Sequence, residues 1–194
     1  MTTSQAAAET ASPTEAVQPD GINHLVLNVT DLERSHQFWT EIIGFKQVAA
    51  LAEDAPLKMR FYAGGAGSRH HDLALAQVAK PAADAGAAET WSMMGRRSGV
   101  NHVAIKYSDR DAWLRQLAFL QGKGVTFHSR VEHGMTHSVY ISDPDGHGIE
   151  VLYELPAAVW ENDIESALRF AKRLPNEGPE ALQDNVDYPV FSKQ

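Results

Sequence analysis

The sequence predicts an α+β fold: two paired βαβββ modules forming an open, barrel-like sheet around a cavity. Three observations carry this expectation. GINHLVLNVTD at 21–31 lies over GVNHVAIKYSD at 99–109, an offset of 78 residues, with Gly, Asn, His and Asp identical and most other pairs conservative. Each copy is followed by the same order of signals, a helix and then three strands. Such a unit cannot bury its apolar face alone and pairs with its copy. Finally, 194 residues with 43% hydrophobic content suffice for one core shared by both units.

The elements follow in order. Residues 1–20, rich in Ala, Thr, Ser, Glu and Pro without periodicity, read as a disordered tail. The domain spans 21–155, with modules at 21–80 and 99–155 and a linker at 81–98. Ile22 to Val29 is a β-branched-rich strand. Thr30-Asp31-Leu32-Glu33 is a capping pattern that opens a helix through Phe38, Trp39, Ile42 and Ile43, and Gly44 closes it. Strand signals follow at 46–52, 57–63 and 71–78. In the second module Val100 to Tyr107 is the strand, Ser108-Asp109 the cap and Trp113 to Leu120 the helix, ended by Gly122 and Gly124. Strands are expected near 125–130, 135–142 and 148–154. The linker holds Trp91, Met93 and Met94, apolar residues that need cover, so it predicts a lid or cavity wall. After Pro156, a stripe of Ile164, Ala167, Leu168 and Ala171 predicts a helix over 163–173 that stops at Leu174-Pro175. The segment 156–194 is thus expected as a helical extension packed on the domain.

Composition narrows the function classes. Seventeen Lys and Arg against 25 Asp and Glu give a net charge of −8, which disfavours nucleic acid or an anionic membrane as partner. No apolar run is long enough to span a bilayer, and the first twenty residues lack the pattern of a secretory signal. Nine His and no Cys exclude disulfides and thiolate sites and suit a reducing cytoplasm. Histidine is therefore the residue to follow.

His24 and His102 occupy equivalent places on the first strands, and Glu150 stands in the final strand. Equivalence under a pseudo-two-fold axis aims both His into the cavity. Two imidazoles and one carboxylate on one face of a metal leave up to three open positions, the ligand set of a non-haem Fe(II) site that handles substrate and O₂ together. A structural zinc site would want four closed ligands, commonly thiolates. His71 lies on the last strand of module one, as Glu150 does in module two. Strand alternation turns His71 inward and His70 outward, which makes His71 a fourth ligand or a base beside the metal. Asp143-Pro144-Asp145-Gly146 reads as a tight turn without a catalytic role, with His147 exposed in it. His36 and His128 read as surface residues.

These residues resemble the vicinal oxygen chelate superfamily over roughly 21–155, and within it the small, single-domain type I extradiol catecholic dioxygenases. GINHLVLNVTDLERSHQFWTEIIGF and DPDGHGIEVLYE carry the superfamily likeness. SRHHDLAL at 68–75 is similar to the segment that supplies the family's acid–base His, which implies that role for His71. In HGMTHSVYISDPDGHGIE, Tyr140 stands ten residues before Glu150, where the family keeps a Tyr beside the substrate oxygens. A further cavity His lies upstream of that Tyr in the family. His133 and His137 compete for its place, with His133 favoured.

The resemblance implies extradiol (meta) cleavage of a catechol-type ring, with Fe(II), or else Mn(II), as the metal and O₂ as cosubstrate. His24, His102 and Glu150 would be the ligands, His71 the acid–base residue, and Tyr140 and His133 the hydrogen-bonding partners of substrate. Trp91 and Met94 would line the substrate pocket. The expected partner is a small aromatic diol, and a homo-oligomer is compatible, although one chain already supplies both modules. Two readings compete: a metal-dependent glyoxalase- or epimerase-type lyase or isomerase using His71 as fourth ligand, and a metal-free small-molecule binding or resistance protein. The isomerase reading leaves Tyr140 and the His133/His137 loop idle.

Overall fold

The computed structural model describes residues 22–65, 70–79, 91, 100–184 and 187–193. The expected tail at 1–20, Met93 and Met94 lie outside them. No helix among the described residues is long and apolar enough to cross a membrane.

Module one consists of β1 (Leu25–Val29), α1 (Leu32–Gln37), β2 (Lys46–Ala50), β3 (Met59–Ala63) and β4 (Leu73–Gln77). The Asp31 side chain caps α1 by accepting from the Arg34 amide at 3.1 Å. The helix continues as a π-helical turn, Phe38–Ile42, in which Ile43 N donates to Phe38 O at 3.0 Å. The wider turn lets Phe38, Trp39 and Ile43 all enter the core. Gly44, at φ +93°, then reverses the chain, a conformation that favours glycine.

Module two repeats the plan with β5 (His102–Lys106), α2 (Arg110–Gly122), β6 (Ser129–His133), β7 (Thr136–Ser142) and β8 (Gly148–Glu154). Asp109 caps α2 through the Ala112 amide at 2.8 Å. Trp113, Leu117 and Leu120 form the buried stripe.

The strands form two open sheets that do not close into a barrel, in the orders β1-β4-β3-β2 and β5-β8-β7-β6 with one further strand outside β6. In each sheet the first strand pairs in parallel with the last of its module, Leu25 opposite Leu73 and His102 opposite Gly148, and the other pairs are antiparallel. Alternation along each first strand divides its residues. Leu27 and Val29 enter the core, whereas Val26 and Asn28 are exposed. In β5, Ala104 and Lys106 are exposed while Val103 and Ile105 pack against the core.

One apolar cluster joins the modules, with Trp39, Tyr62 and Leu75 from the first and Trp113, Leu117, Val139 and Ile149 from the second. Truncating either Trp to Ala would cost about 3–5 kcal/mol. Polar ties fix the arrangement. Tyr107 Oη donates to Ile43 O at 3.0 Å and Gln116 Nε2 to Ile42 O at 2.8 Å. The Asp145 carboxylate accepts from Thr30 N at 3.1 Å and Ser35 Oγ at 3.0 Å. The turn at 143–146 therefore serves as an intermodule clamp as well as a reversal. Burial works to raise the Asp145 carboxyl, but the Thr30 and Ser35 bonds outweigh it and hold it below the usual range.

The C-terminal segment departs from the expected helix over 163–173. The helix α3 covers only Ile164–Arg169, and Ala171–Leu174 form the strand β9, antiparallel to β6. Physical reasons for the change are visible. Ile164 and Leu168 stay 49% and 67% exposed, so the expected stripe buries little. Pro175 disfavours helical backbone at Leu174. The edge of β6 offers unpaired donors and acceptors that β9 satisfies.

Candidate functional site

In β8, Ile149, Val151 and Tyr153 enter the core, which turns Gly148, Glu150 and Leu152 to the opposite face. Register places Tyr140 of β7 and Ala104 of β5 on either side of Glu150. The result is a hydrogen-bonded row. Glu150, buried at 7% exposure, accepts from Tyr140 Oη at 2.8 Å and faces His102 Nε2 at 3.1 Å. His133 Nε2 lies 3.1 Å from the same phenolic oxygen. Because the phenol spends its proton on Glu150, His133 Nε2 meets it as a donor. Burial, and then the Glu150 charge, push the Tyr140 phenol up, so it stays protonated.

The far nitrogen of His102 is also fixed. Its Nδ1 lies 2.8 Å from Asn101 Oδ1. With an amide oxygen as acceptor, Nδ1 carries a hydrogen, which leaves Nε2 as the atom that faces Glu150. Two ligand atoms each about 2.1 Å from one divalent ion, at right angles, lie about 3 Å apart. The Nε2–Oε2 separation matches that span. His24 is prepared identically, its Nδ1 2.8 Å from Asn23 Oδ1. The Asn-His doublet thus repeats as a working unit, and the identical Asn in the two copies was its signal.

Trp91 covers this row. Its indole stacks on Tyr140 at 5.3 Å and 9°, meets His102 edge-on at 6.4 Å and donates to Asn101 O at 2.6 Å. A Cβ on Gly148 would overlap the indole, so glycine is what admits it. His128, 6.0 Å from Trp91, is bonded to Ser142 and shifted down by burial.

His24 lies elsewhere, in a second cluster. Its ring is 4.5 Å from His71 and 6.3 Å from His70. Strand β4 begins only at Leu73, so the expected alternation of His70 outward and His71 inward does not operate, and both rings gather at His24. Partial burial, with the neighbouring His70 and His24, pulls the His71 imidazole below its ordinary value, leaving it neutral near pH 7.

The described residues of one chain hold no group of three or more His, Asp or Glu side chains placed to bind a metal ion. His102 and Glu150 supply two donors that fit; His24 is not beside them. Nor does the expected cavity between the modules contain them. The intermodule cleft, ≈ 750 Å³, is lined by Leu25, Phe45, Leu73, Val103, Ile105 and Tyr107 among others, and by none of the candidate residues. The pseudo-two-fold pairing brings the helices and core faces together and leaves both His-bearing faces outside.

Of the two histidines that compete beside Tyr140, His133 reaches it. His137 points from the other face of β7, 2% exposed, into Asp184 at 2.8 Å and Tyr153 at 3.2 Å. It does not share the face that carries Tyr140 Oη. His36 bonds Tyr62 Oη at 3.1 Å. His147, expected exposed, is half-buried and bonded to Asp143 at 2.8 Å, which holds its imidazole above the ordinary value. Met94 lies outside the described residues.

Residues 21–151 match the Glyoxalase/Bleomycin resistance protein/Dioxygenase superfamily, a span that includes both histidine clusters. The chain belongs to this superfamily. A catechol-2,3-dioxygenase of Bacillus subtilis (strain 168) is 30% identical over 146 residues, covering 74% of this chain and 45% of the relative. The chain therefore spans less than half the length of that protein. A lactoylglutathione lyase of Pseudomonas putida is 28% identical over 160 residues, covering 69% of this chain and 85% of the lyase. Among solved structures, a glyoxylase/bleomycin resistance protein/dioxygenase domain from Frankia sp. EAN1pec shares the fold, with TM-score 0.56 and 18% identity over 71% of this chain and all of that one.

Proposed function

We propose that this superfamily member is an extradiol ring-cleaving dioxygenase acting on a small catechol-type diol. The observation that carries the reading is the row His133–Tyr140–Glu150–His102. A protonated phenol and an imidazole N–H side by side, next to the carboxylate read as a metal ligand, suit a reaction that builds charge on the oxygens of a diol. The 30% identity to a catechol-2,3-dioxygenase supports the same choice.

The reading assigns His102 and Glu150 to a divalent metal, Fe(II) or Mn(II), and needs a further donor, the role expected of His24, which this chain holds in its other histidine cluster. When bound, that ion supplies Lewis-acid activation of the diol and a meeting place for it with O₂. The chain's own residues do the rest. Tyr140 Oη and His133 Nε2 are two donors at the edge of the site, able to turn from each other to a substrate oxygen. The Trp91 indole gives the site a flat apolar wall parallel to Tyr140, suited to an aromatic ring. His71, held neutral, is the proton carrier, since a neutral imidazole can take one proton from the diol and return it.

Protein prepared anaerobically with Fe(II) and catechol is expected to turn yellow on admission of air, with O₂ consumed one-for-one with catechol. Isomerisation of a glutathione hemithioacetal without O₂ uptake, and no yellow product, would replace this reading with the lyase one.

A further inference from the structure

We propose that the C-terminal segment is a positioning device for the site, with Gly134, Ala167 and Phe191 holding His133 in reach of Tyr140. The inference deepens the reading of His133 as a donor to substrate oxygens and rests on it.

His133 occupies an insecure place. It is the last residue of β6, and only Gly134 and Met135 separate it from β7. Without a neighbour, β6 would be the edge of its sheet, and the ends of edge strands open readily. Yet His133 Nε2 has to stay 3.1 Å from Tyr140 Oη. A displacement of about 1 Å in a group that meets substrate is enough to spoil its action.

Three contacts secure it, and two come from the segment after Leu155. β9 adds to the edge, Ala171 pairing with His133 and Lys172 with Glu132. Beyond the end of the strand, α3 and Phe191 close directly on the turn. A Cβ at Gly134 would lie 2.5 Å from Ala167 O and 2.8 Å from the Phe191 ring. Backbone this close leaves room for glycine alone. The third contact, Leu155 N donating to Met135 O at 2.9 Å, holds the turn from the β8 side.

The pad against Gly134 is itself anchored. Phe191 packs on Phe170 with ring centroids 5.6 Å apart, and its amide donates to Val159 O at 2.7 Å. Ala167 is fully buried. All of these residues follow position 151, where the match to the superfamily ends. The shared scaffold thus supplies Tyr140 and Glu150, and the extension beyond it sets the imidazole beside them.

The test reads the contact itself, in metal-free protein, so that it does not depend on which reaction the site performs. Nuclear Overhauser cross-peaks between the rings of His133 and Tyr140 are compared with those between His102 and Tyr140, whose centroids lie 5.5 Å apart. Phe191→Ala and Gly134→Ala are each expected to weaken the His133 cross-peaks several-fold and to leave the His102 ones unchanged. Phe191→Leu, which keeps apolar bulk, is expected to restore most of the intensity. Under the dioxygenase reading, Phe191→Ala also lowers kcat on catechol about tenfold at unchanged KM, because His133 acts on charge that builds during the reaction. Wild-type His133 cross-peaks in both alanine variants overturn the proposal. So does parallel loss of the His133 and His102 cross-peaks, which would make the extension a support of the whole sheet and not of this contact. Selective loss in a protein that does not cleave catechol leaves the positioning standing and discards only the dioxygenase reading.

Discussion

The most economical device at the scale of single residues is the Asn-His doublet. An isolated imidazole in water exchanges tautomers and rotates; Asn101 removes both freedoms from His102 by taking its Nδ1 hydrogen. Replacing Asn101 with Leu deletes that acceptor while keeping the volume. The expected result is a loss of Co(II) affinity of roughly 10–100-fold, with unchanged circular dichroism, measured by competition with a chelator. The doublet was legible in the sequence only as an identity between two copies. Its purpose required knowing that the side chains bond within each pair. His133 and His137 show the opposite case: both were candidates on spacing, and only their places at the end of β6 and within β7 send the first to Tyr140 and the second into the interior.

Among elements, the strongest coupling runs through Asp184, which fastens the C-terminal segment to four others. It accepts from Arg110 of α2, Arg130 of β6, His137 of β7 and Tyr153 of β8, and its carboxylate is wholly enclosed. Burial works to raise its carboxyl, but the His137 and Tyr153 bonds and the Arg130 charge outweigh it and hold the group below the usual range. A depressed carboxyl contributes stability that is present above its unfolded value, about pH 3.9, and lost as pH falls through its folded one. Asp184→Asn leaves Arg130 buried without a counter-charge. It is expected to cost about 3–5 kcal/mol at pH 7 in urea unfolding, a gap that narrows below about pH 4. Nothing near Asp184 in the sequence marks this role, because its partners lie 31 to 74 residues away. The helix expected over 163–173 failed for a related reason. Its apolar stripe satisfied a local period, but the free edge of β6 was a long-range competitor invisible to any window of sequence.

For the whole molecule, the repeat at 21–31 and 99–109 disclosed the two modules, their strand order and their equivalence. It could not disclose which faces meet. Two equivalent units can pair through their helices and cores or through the outer faces of their first strands, and a pseudo-two-fold axis permits both. The chain uses the first internally, through Trp39 and Trp113, and leaves the second outside that core.

The parallel ladder between β5 and β8 has a consequence in time rather than in space. His102 and Glu150 are 48 residues apart in the chain, and they become neighbours only when β8 closes onto β5, after α2, β6 and β7 have been threaded between them. Contacts of such sequence separation form late, because the loop entropy must be met before they return any energy. A chain emerging from the ribosome therefore offers loose histidines but no chelating pair. Under the proposed reading, an ion meets the assembled pair only once Trp91 and Tyr140 stand beside it.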